Sequence, residues 1–258
     1  MPEEGAGMSG FEQWADSFEA ERVRRAARAD PDWTRAARLD LAVWASVQRF
    51  QTGEDGDGAN LTAKAGEAGD PEYARAVRLF IAEEQNHARL LALLLAAGGM
   101  PALAGHWTDT AFVRVRRLMG LRLELLVLMV AEVVALRYYR ALRDGSGDAL
   151  TSEVAARILA DEERHIPFHC ARLHDSLAEL PRAVRRPLLS LWRGLLAVAC
   201  LIVIADHGRA LRALGVRRSR FLSDVLVSSR PMVSAILNRR PNMWPDTTPT
   251  RTADRRAG

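Results

Sequence analysis

Two segments of the chain carry the same chemistry. Ala82-Glu83-Glu84-Gln85-Asn86-His87 falls on Ala160-Asp161-Glu162-Glu163-Arg164-His165 when the sequence is shifted by 78 residues, and the same shift lays Glu54 on Glu132. A glutamate and a histidine three positions apart share one face of a helix, so each Glu-x-x-His pair can grip one ion from neighbouring turns. Each motif glutamate follows its lone partner, Glu54 or Glu132, by thirty residues, and a break near 66–70 or 145–148 falls about midway. Folding each half as an antiparallel helical hairpin therefore brings its two glutamates to one height. Their surroundings are apolar: Phe80, Ile81 and Leu90 to Leu95 in the first half, Leu125 to Val134, Ile158 and Leu159 in the second. Four uncompensated carboxylates there would be costly to bury or would become protonated. Two divalent cations offset four glutamates and leave a neutral site of six ligands.

One Glu-x-x-His is a weak signal, but two in the same repeat phase, each with its upstream glutamate, are a strong one. Glutamates from two helices and Glu-x-x-His from two others form the carboxylate pattern of di-iron bundles. In Glu54, Glu84-x-x-His87, Glu132 and Glu162-x-x-His165 the chain resembles the ferritin-like superfamily of di-iron proteins over roughly residues 35–175. The resemblance implies that Glu84 and Glu162 bridge the metals, that His87 and His165 bind one each, and that Glu54 and Glu132 are terminal ligands. It also implies two Fe ions, or a Mn/Fe pair, with O2 as co-substrate. The expected activity is that of an oxidase or oxygenase acting on a small organic substrate, with an electron donor as partner. Because that superfamily is chemically diverse, three alternatives stand beside it: a ferroxidase or iron-handling protein, a manganese catalase-like enzyme, and a tRNA-modifying hydroxylase.

Around Glu54 the run Thr52-Gly53-Glu54-Asp55-Gly56-Asp57-Gly58 holds three glycines where a helix prefers none. Either the helix loosens there, to admit a substrate, or Glu54 sits on a loop. An isolated calcium loop is a further reading, although the third ligand and closing Glu of an EF-hand are missing. Asp40 and Gln48 are the fallback ligands if the helix ends early. His169, seven residues after Glu162, is a candidate third nitrogen ligand, hydrogen-bonded neighbour or proton relay, against the reading of a plain core histidine. Tyr138 and Tyr139 follow Glu132 closely and are candidate redox or hydrogen-bonding neighbours, or simple packing residues. Asp161 and the Asp206-His207 pair could each orient a metal-bound histidine, or serve at the surface or a helix cap. His106 and Trp107 fall in the connection between halves, where loop packing suffices for them.

The elements that must hold these residues are helical nearly throughout, with Pro and Gly gathered at breaks. The fold expected is all-α: a ferritin-like four-helix bundle with an extra N-terminal helix and two extra C-terminal helices. Asp30-Pro31 and Asp70-Pro71 each set a capping side chain before a proline suited to a first turn. The pattern predicts helices over 11–29, 32–65, 71–97, 121–143, 149–178, 182–214 and 219–238. Pro167 should kink its helix beside His165, and Pro231 should break the last one. Residues 98–120 are the crossover that parallel second and third bundle helices would need. Residues 1–240 are expected to form one domain, with the bundle over about 32–178, and 241–258 a disordered tail.

Composition fits these expectations without sharpening the reaction. The chain has 258 residues, 48% of them hydrophobic, which suffices for one sizeable core. No apolar stretch follows the N-terminus and the run Gly194 to Ala205 is short for a membrane span, so the expectation is a cytoplasmic protein with no membrane partner and that run in a buried helix. A homodimer is an open expectation. Two cysteines, Cys170 and Cys200, are too few for a disulfide framework and read as small buried hydrophobes. The net charge is +4 and Lys64 is the only lysine, so the positive charge is almost all arginine. Arginine clusters at 114–117, 209–220 and 251–256 could attract an acidic partner or tRNA, but solvated helix faces account for most such runs.

Overall fold

The computed structural model describes residues 10–103 and 120–238. Among these the chain is all-helical: α1 (Gly10–Ala27), α2 (Leu41–Glu54), α3 (Ala59–Glu67), α4 (Pro71–Ala97), α5 (Leu121–Gly145), α6 (Ala149–Ala178), α7 (Arg182–Ala213) and α8 (Arg218–Leu237). His106, Trp107, Arg114 to Arg117, the expected tail and most of the expected crossover lie outside the described residues.

Capping chemistry explains where the site-bearing helices begin. Asp70 accepts a hydrogen bond from the Tyr73 amide at 2.9 Å, with Pro71 in the first turn of α4. Asp148 caps α6 through the Thr151 amide and hydroxyl, at 2.8 and 2.7 Å. Each cap satisfies donors that a helix start leaves without partners. Asp30-Pro31 does not start a helix. Asp30 instead holds Arg89 at 2.7 and 2.9 Å, so the helix expected from residue 32 begins only after Asp40, which accepts from the Ala42 amide at 2.7 Å. That helix is also divided. It stops at Glu54 and resumes at Ala59, across a turn in which Gly58 takes φ of 62°, a conformation glycine adopts at little cost. Pro231 does not break α8, which runs through it, and α6 likewise continues through Pro167.

Cross-helix pairs set the directions. Glu83 meets His165 and His87 meets Asp161, so α4 and α6 are antiparallel. Arg140 meets Glu163 and Arg122 meets Glu179, so α5 and α6 are antiparallel as well. Thus α4 and α5 run parallel, the arrangement that requires a chain crossover over roughly 37 Å at 1.5 Å per residue of α5. The α3 turn ties into α5 through Lys64 and Asn60, which bond the buried Glu124 carboxylate at 2.6 and 2.9 Å. Helix α1 seals α4 and α6 with aromatics: Phe11, Trp14 and Phe18 close around Tyr73 and Phe168, with Phe18 and Phe168 edge to face at 5.1 Å. Cys170 and Cys200 are buried and unbridged.

The apolar run in α7 is a correction to its expected burial. Trp192, Leu196 and Cys200 face the core, while Leu191, Leu195, Val198, Leu201 and Ile202 lie open, Leu191 to 71%. By length and composition α7 could cross a membrane, and only 22% of its most apolar stretch is buried.

A Cβ on Gly145, the last residue of α5, would collide with the main chain of Leu214 just past α7. Backbone cannot swing aside as a side-chain tip can, so Gly145→Ala should destabilise the chain by about 1–3 kcal/mol. Thermal melting should show a Tm lowered by roughly 3–10 °C, and an unchanged melt would contradict this account of the α5–α7 corner.

Candidate metal centre

All six residues of the doubled motif come together at one height in the bundle. Ligand-capable atoms of Glu54, Glu84, His87 and Glu162 lie within 4.8 Å of one another, and so do those of Glu84, Glu132, Glu162 and His165. Glu84 and Glu162 belong to both groups, so two neighbouring positions share two carboxylates. Glu54 reaches the cluster as the last residue of α2, where the helix ends before the Asp55-Gly56-Asp57-Gly58 turn. Of the alternatives left open, the loosened helix end is the one observed. Asp40 is spent on its cap, and Gln48 donates to the Pro101 carbonyl at 2.6 Å, so neither fallback ligand is in place.

The inner atoms face each other without satisfying each other. His165 Nδ1 lies 3.2 Å from Glu84, 3.5 Å from Glu132 and 3.7 Å from Glu162, and His87 Nδ1 lies 3.4 Å from Glu84 and 3.5 Å from Glu162. Yet both Nδ1 atoms, with Glu84 Oε1, Glu132 Oε2 and Glu162 Oε2, are buried without a hydrogen-bond partner. Buried polar atoms are normally paired. Five such atoms aimed at one space are what a donor set looks like when its proper partner is a cation, and nitrogen with carboxylate oxygen suits iron, manganese or zinc. The residues present fit a metal pair.

Behind the two histidines lie charged side chains that meet their outward-facing nitrogens. His87 Nε2 meets Asp161 Oδ2 at 3.1 Å, and His165 Nε2 meets Glu83 Oε2 at 3.0 Å. Each is the acidic residue before a motif glutamate, and each serves the histidine of the other half. These bonds place the imidazole hydrogen on Nε2 and leave Nδ1 as the inward electron pair, the usual way a carboxylate orients a ligating histidine. Asp161 is therefore no surface residue. The two outer carboxylates are balanced by two arginines: Arg25 of α1 reaches Glu83 at 2.8 Å and Asp161 at 2.9 Å, and Arg164 reaches both at 3.1 and 2.5 Å. The acidic residue at each equivalent position was readable from the repeat, whereas nothing local marks Arg25.

Without metal, protons take its place. Burial, helped by the Glu84 charge, pushes the Glu54 carboxyl up to about 8. Burial and the neighbouring Glu132 raise Glu162 well above the usual carboxylate range. For both imidazoles burial acts downward but is outweighed by the surrounding carboxylates, so His87 and His165 sit well above their ordinary value. Burial would raise Asp161 and Glu83, but the hydrogen bond from the facing histidine holds each below the usual range.

The remaining candidates separate clearly. Tyr139 donates to Glu54 Oε1 at 2.5 Å. Tyr138 stacks on Phe50 with centroids 3.6 Å apart. His169 is buried between Phe80 and Phe168, with ring centroids 4.7 and 5.0 Å away; its nitrogens have no hydrogen-bond partner and it is in neither group of converging atoms. Burial pushes it down to about 4, so it is neutral. Asp206 and His207 orient no metal-facing histidine, since His207 bonds Ser46 at 2.7 Å instead. Two cavities of about 500 and 520 Å3 lie around Arg137, Asp144 and Asp224 and around Arg212 and Arg218, and none of the six cluster residues lines them. Glu54 and Glu84 are only partly buried, which makes their side the open side of the cluster. No protein-family model and no curated protein matches the chain.

Metal must displace these protons, so the metal-free form binds more of them than the loaded form. Loading is then favoured as pH rises and opposed as pH falls below about 8, where Glu54 holds its proton. Adding Fe(II) or Mn(II) anaerobically at pH 7 in weak buffer should acidify the solution, with fewer protons released per metal at pH 9. Binding without proton release would contradict this electrostatic account.

Proposed function

We propose that the chain is a ferritin-like non-haem di-iron, or mixed manganese/iron, protein that reacts with dioxygen as an oxidase or oxygenase. One observation carries the reading: the five orphaned inner atoms on Glu84, Glu132, Glu162, His87 and His165 converge where the 78-residue repeat makes two metal positions equivalent. Glu84 and Glu162 would bridge, His87 and His165 would bind one metal each through Nδ1, and Glu54 and Glu132 would complete the set. When bound, the metals supply the electrons that reduce dioxygen and a Lewis-acid site for its oxygens.

The protein's own residues divide the remaining work. Glu83 and Asp161 hold the two imidazoles in the tautomer that points Nδ1 inward. Arg25 and Arg164 keep those carboxylates ionised, so that the imidazole hydrogens stay where they are. Phe80 closes on His165 with ring centroids 4.7 Å apart, and Phe18 lies behind it at 6.2 Å; both exclude water. Tyr139 fixes Glu54 at the open end. A small molecule would enter on the side of Glu54 and Glu84 rather than through the aromatic wall.

Reduced, iron-loaded protein mixed with air-saturated buffer should consume dioxygen in proportion to bound iron pairs and develop a new absorption spectrum, and Glu84→Ala should lose both. Iron that binds but leaves dioxygen untouched would contradict the reading. Peroxide breakdown by the manganese-loaded form, with no reaction of the iron form with dioxygen, would replace it by the catalase-like alternative.

A further inference from the structure

Helix α7 keeps one side for the fold and turns the other outward. On the inner side Trp192, Leu196 and Cys200 are buried. The Trp192 indole donates to the Leu126 carbonyl at 2.7 Å, and Arg193 reaches Ser229 at 3.3 Å and the Leu226 carbonyl at 3.4 Å, both in α8. Away from these contacts lie Val184, Leu188, Leu191, Leu195, Val198 and Ile202, spaced by alternating steps of four and three. Such spacing sets all six on one helix face, a stripe about 27 Å long at 1.5 Å per residue. Leu188 is half-buried and the other five are 45–71% exposed. Leu201, 55% exposed, widens the stripe. An apolar face of this extent on a folded chain marks a contact surface.

Charge decides the kind of contact. No acidic residue occurs between Arg182 and Ala205. Arg182 and Arg186 lie exposed at one end of the stripe, and Arg209, Arg212, Arg217 and Arg218 at the other; none of these six meets an acidic side chain among the described residues. A second α7 laid on the stripe would fit this pattern badly in either direction. Parallel pairing sets each basic end on its own copy, and antiparallel pairing sets Arg182 and Arg186 beside Arg209 and Arg212. Paired helices carry matched charges beside their seam, but here one flank holds Pro187, Gly194, Leu201 and Gly208. On the other flank the one pair of opposite sign, Arg185 and Asp206, is already engaged within the chain: Arg185 by the Leu180 carbonyl at 2.7 Å, Asp206 by Arg49 and His207 at 3.6 and 3.2 Å. An anionic lipid surface fits better. Its acyl chains match the apolar stripe, and its headgroup phosphates match arginines at both ends.

We propose that α7 is a membrane-docking helix, lying in the plane of an anionic bilayer surface with the Val184-to-Ile202 stripe among the outer acyl chains and the arginines of both ends among the headgroup phosphates. This departs from the membrane-free chain expected from the sequence, and it stands independently of the two-metal reading. The helix has the length and composition to cross a bilayer, but crossing would strip the Trp192 indole from Leu126 and Leu196 and Cys200 from the core. Lying flat keeps those contacts and holds both basic ends at headgroup depth. Because Trp192 meets Leu126 and Leu214 meets Gly145, α5 and α7 run parallel. Docking through α7 therefore lays the bundle lengthwise on the surface, with the middle of the stripe level with Glu132.

The test is sedimentation of the full chain, metal-free and metal-loaded, with vesicles of phosphatidylcholine mixed with phosphatidylglycerol and with vesicles of phosphatidylcholine alone, beside light scattering of the free chain. Both forms should partition onto the anionic vesicles with a preference of roughly 10-fold or more, and high salt should erase that preference. Leu191→Gln, at the most open position, should weaken binding about 10-fold, and Leu191→Gln with Leu195→Gln about 10²-fold, at an unchanged Tm. Arg209→Gln with Arg212→Gln should weaken it roughly 25-fold on anionic vesicles and little on neutral ones. A chain that ignores both kinds of vesicle, or that binds the anionic ones equally well without the two leucines, would overturn the proposal. So would a dimer in solution that the leucine substitutions split, which would give the face to a second copy.

Discussion

Burying four carboxylates and two imidazoles at one level of an apolar bundle is the constraint to which the rest of the structure answers. An ion taken from water into such an interior carries a penalty of several kcal/mol even after relaxation. The chain meets it in two layers. The outer layer is closed by the protein itself: Glu83 and Asp161 against Arg25 and Arg164, with the imidazole Nε2 hydrogens between them. The inner layer is left open, its oxygens and Nδ1 atoms facing one another without partners. Protons can fill that gap only by raising Glu54, Glu162 and both histidines far from their ordinary values. Cations bound there would fill it without that distortion.

The cross-pairing of the halves gives this design its rigidity. Each motif histidine is aimed by a carboxylate from the other half, so neither hairpin can form its half of the cluster alone. The α4–α6 contact that carries the pairing is antiparallel, and the parallel α4 and α5 follow from it. Helix α1 is part of the same arrangement. Its aromatic face packs on α4 and α6, and its last turn brings Arg25 to both outer carboxylates. At the opposite, less enclosed side, the α2 helix ends at Glu54, where the glycine-rich turn replaces a continuous helix.

Much of this was legible in the residues. The repeat marked all six cluster residues, and α4 and α6 match the predicted 71–97 and 149–178, because their caps and periodicity agree with their tertiary setting. Where the reading failed, a distant contact overrode a local signal. Asp30-Pro31 and Asp70-Pro71 are alike in sequence, but Asp30 is taken by Arg89, 59 residues away. Apolar composition marked α7 as a helix without saying which faces would be covered. Pro231 removes one backbone donor, and packing of Phe221, Val225, Met232 and Ile236 keeps α8 continuous across it. The pairing of Tyr138 and Ser46 with His207 joins α2, α5 and α7, and no local pattern announces it.

The central claim is that the cluster exists to hold two metals. Anaerobic titration of the metal-free chain with Fe(II), followed by the count of tightly bound metal and by thermal melting, tests it most directly. The account predicts saturation at two metals per chain, a Tm that rises with loading, and loss of both sites in Glu162→Ala because that carboxylate belongs to both. No saturable binding, or binding indifferent to Glu162→Ala, would contradict it.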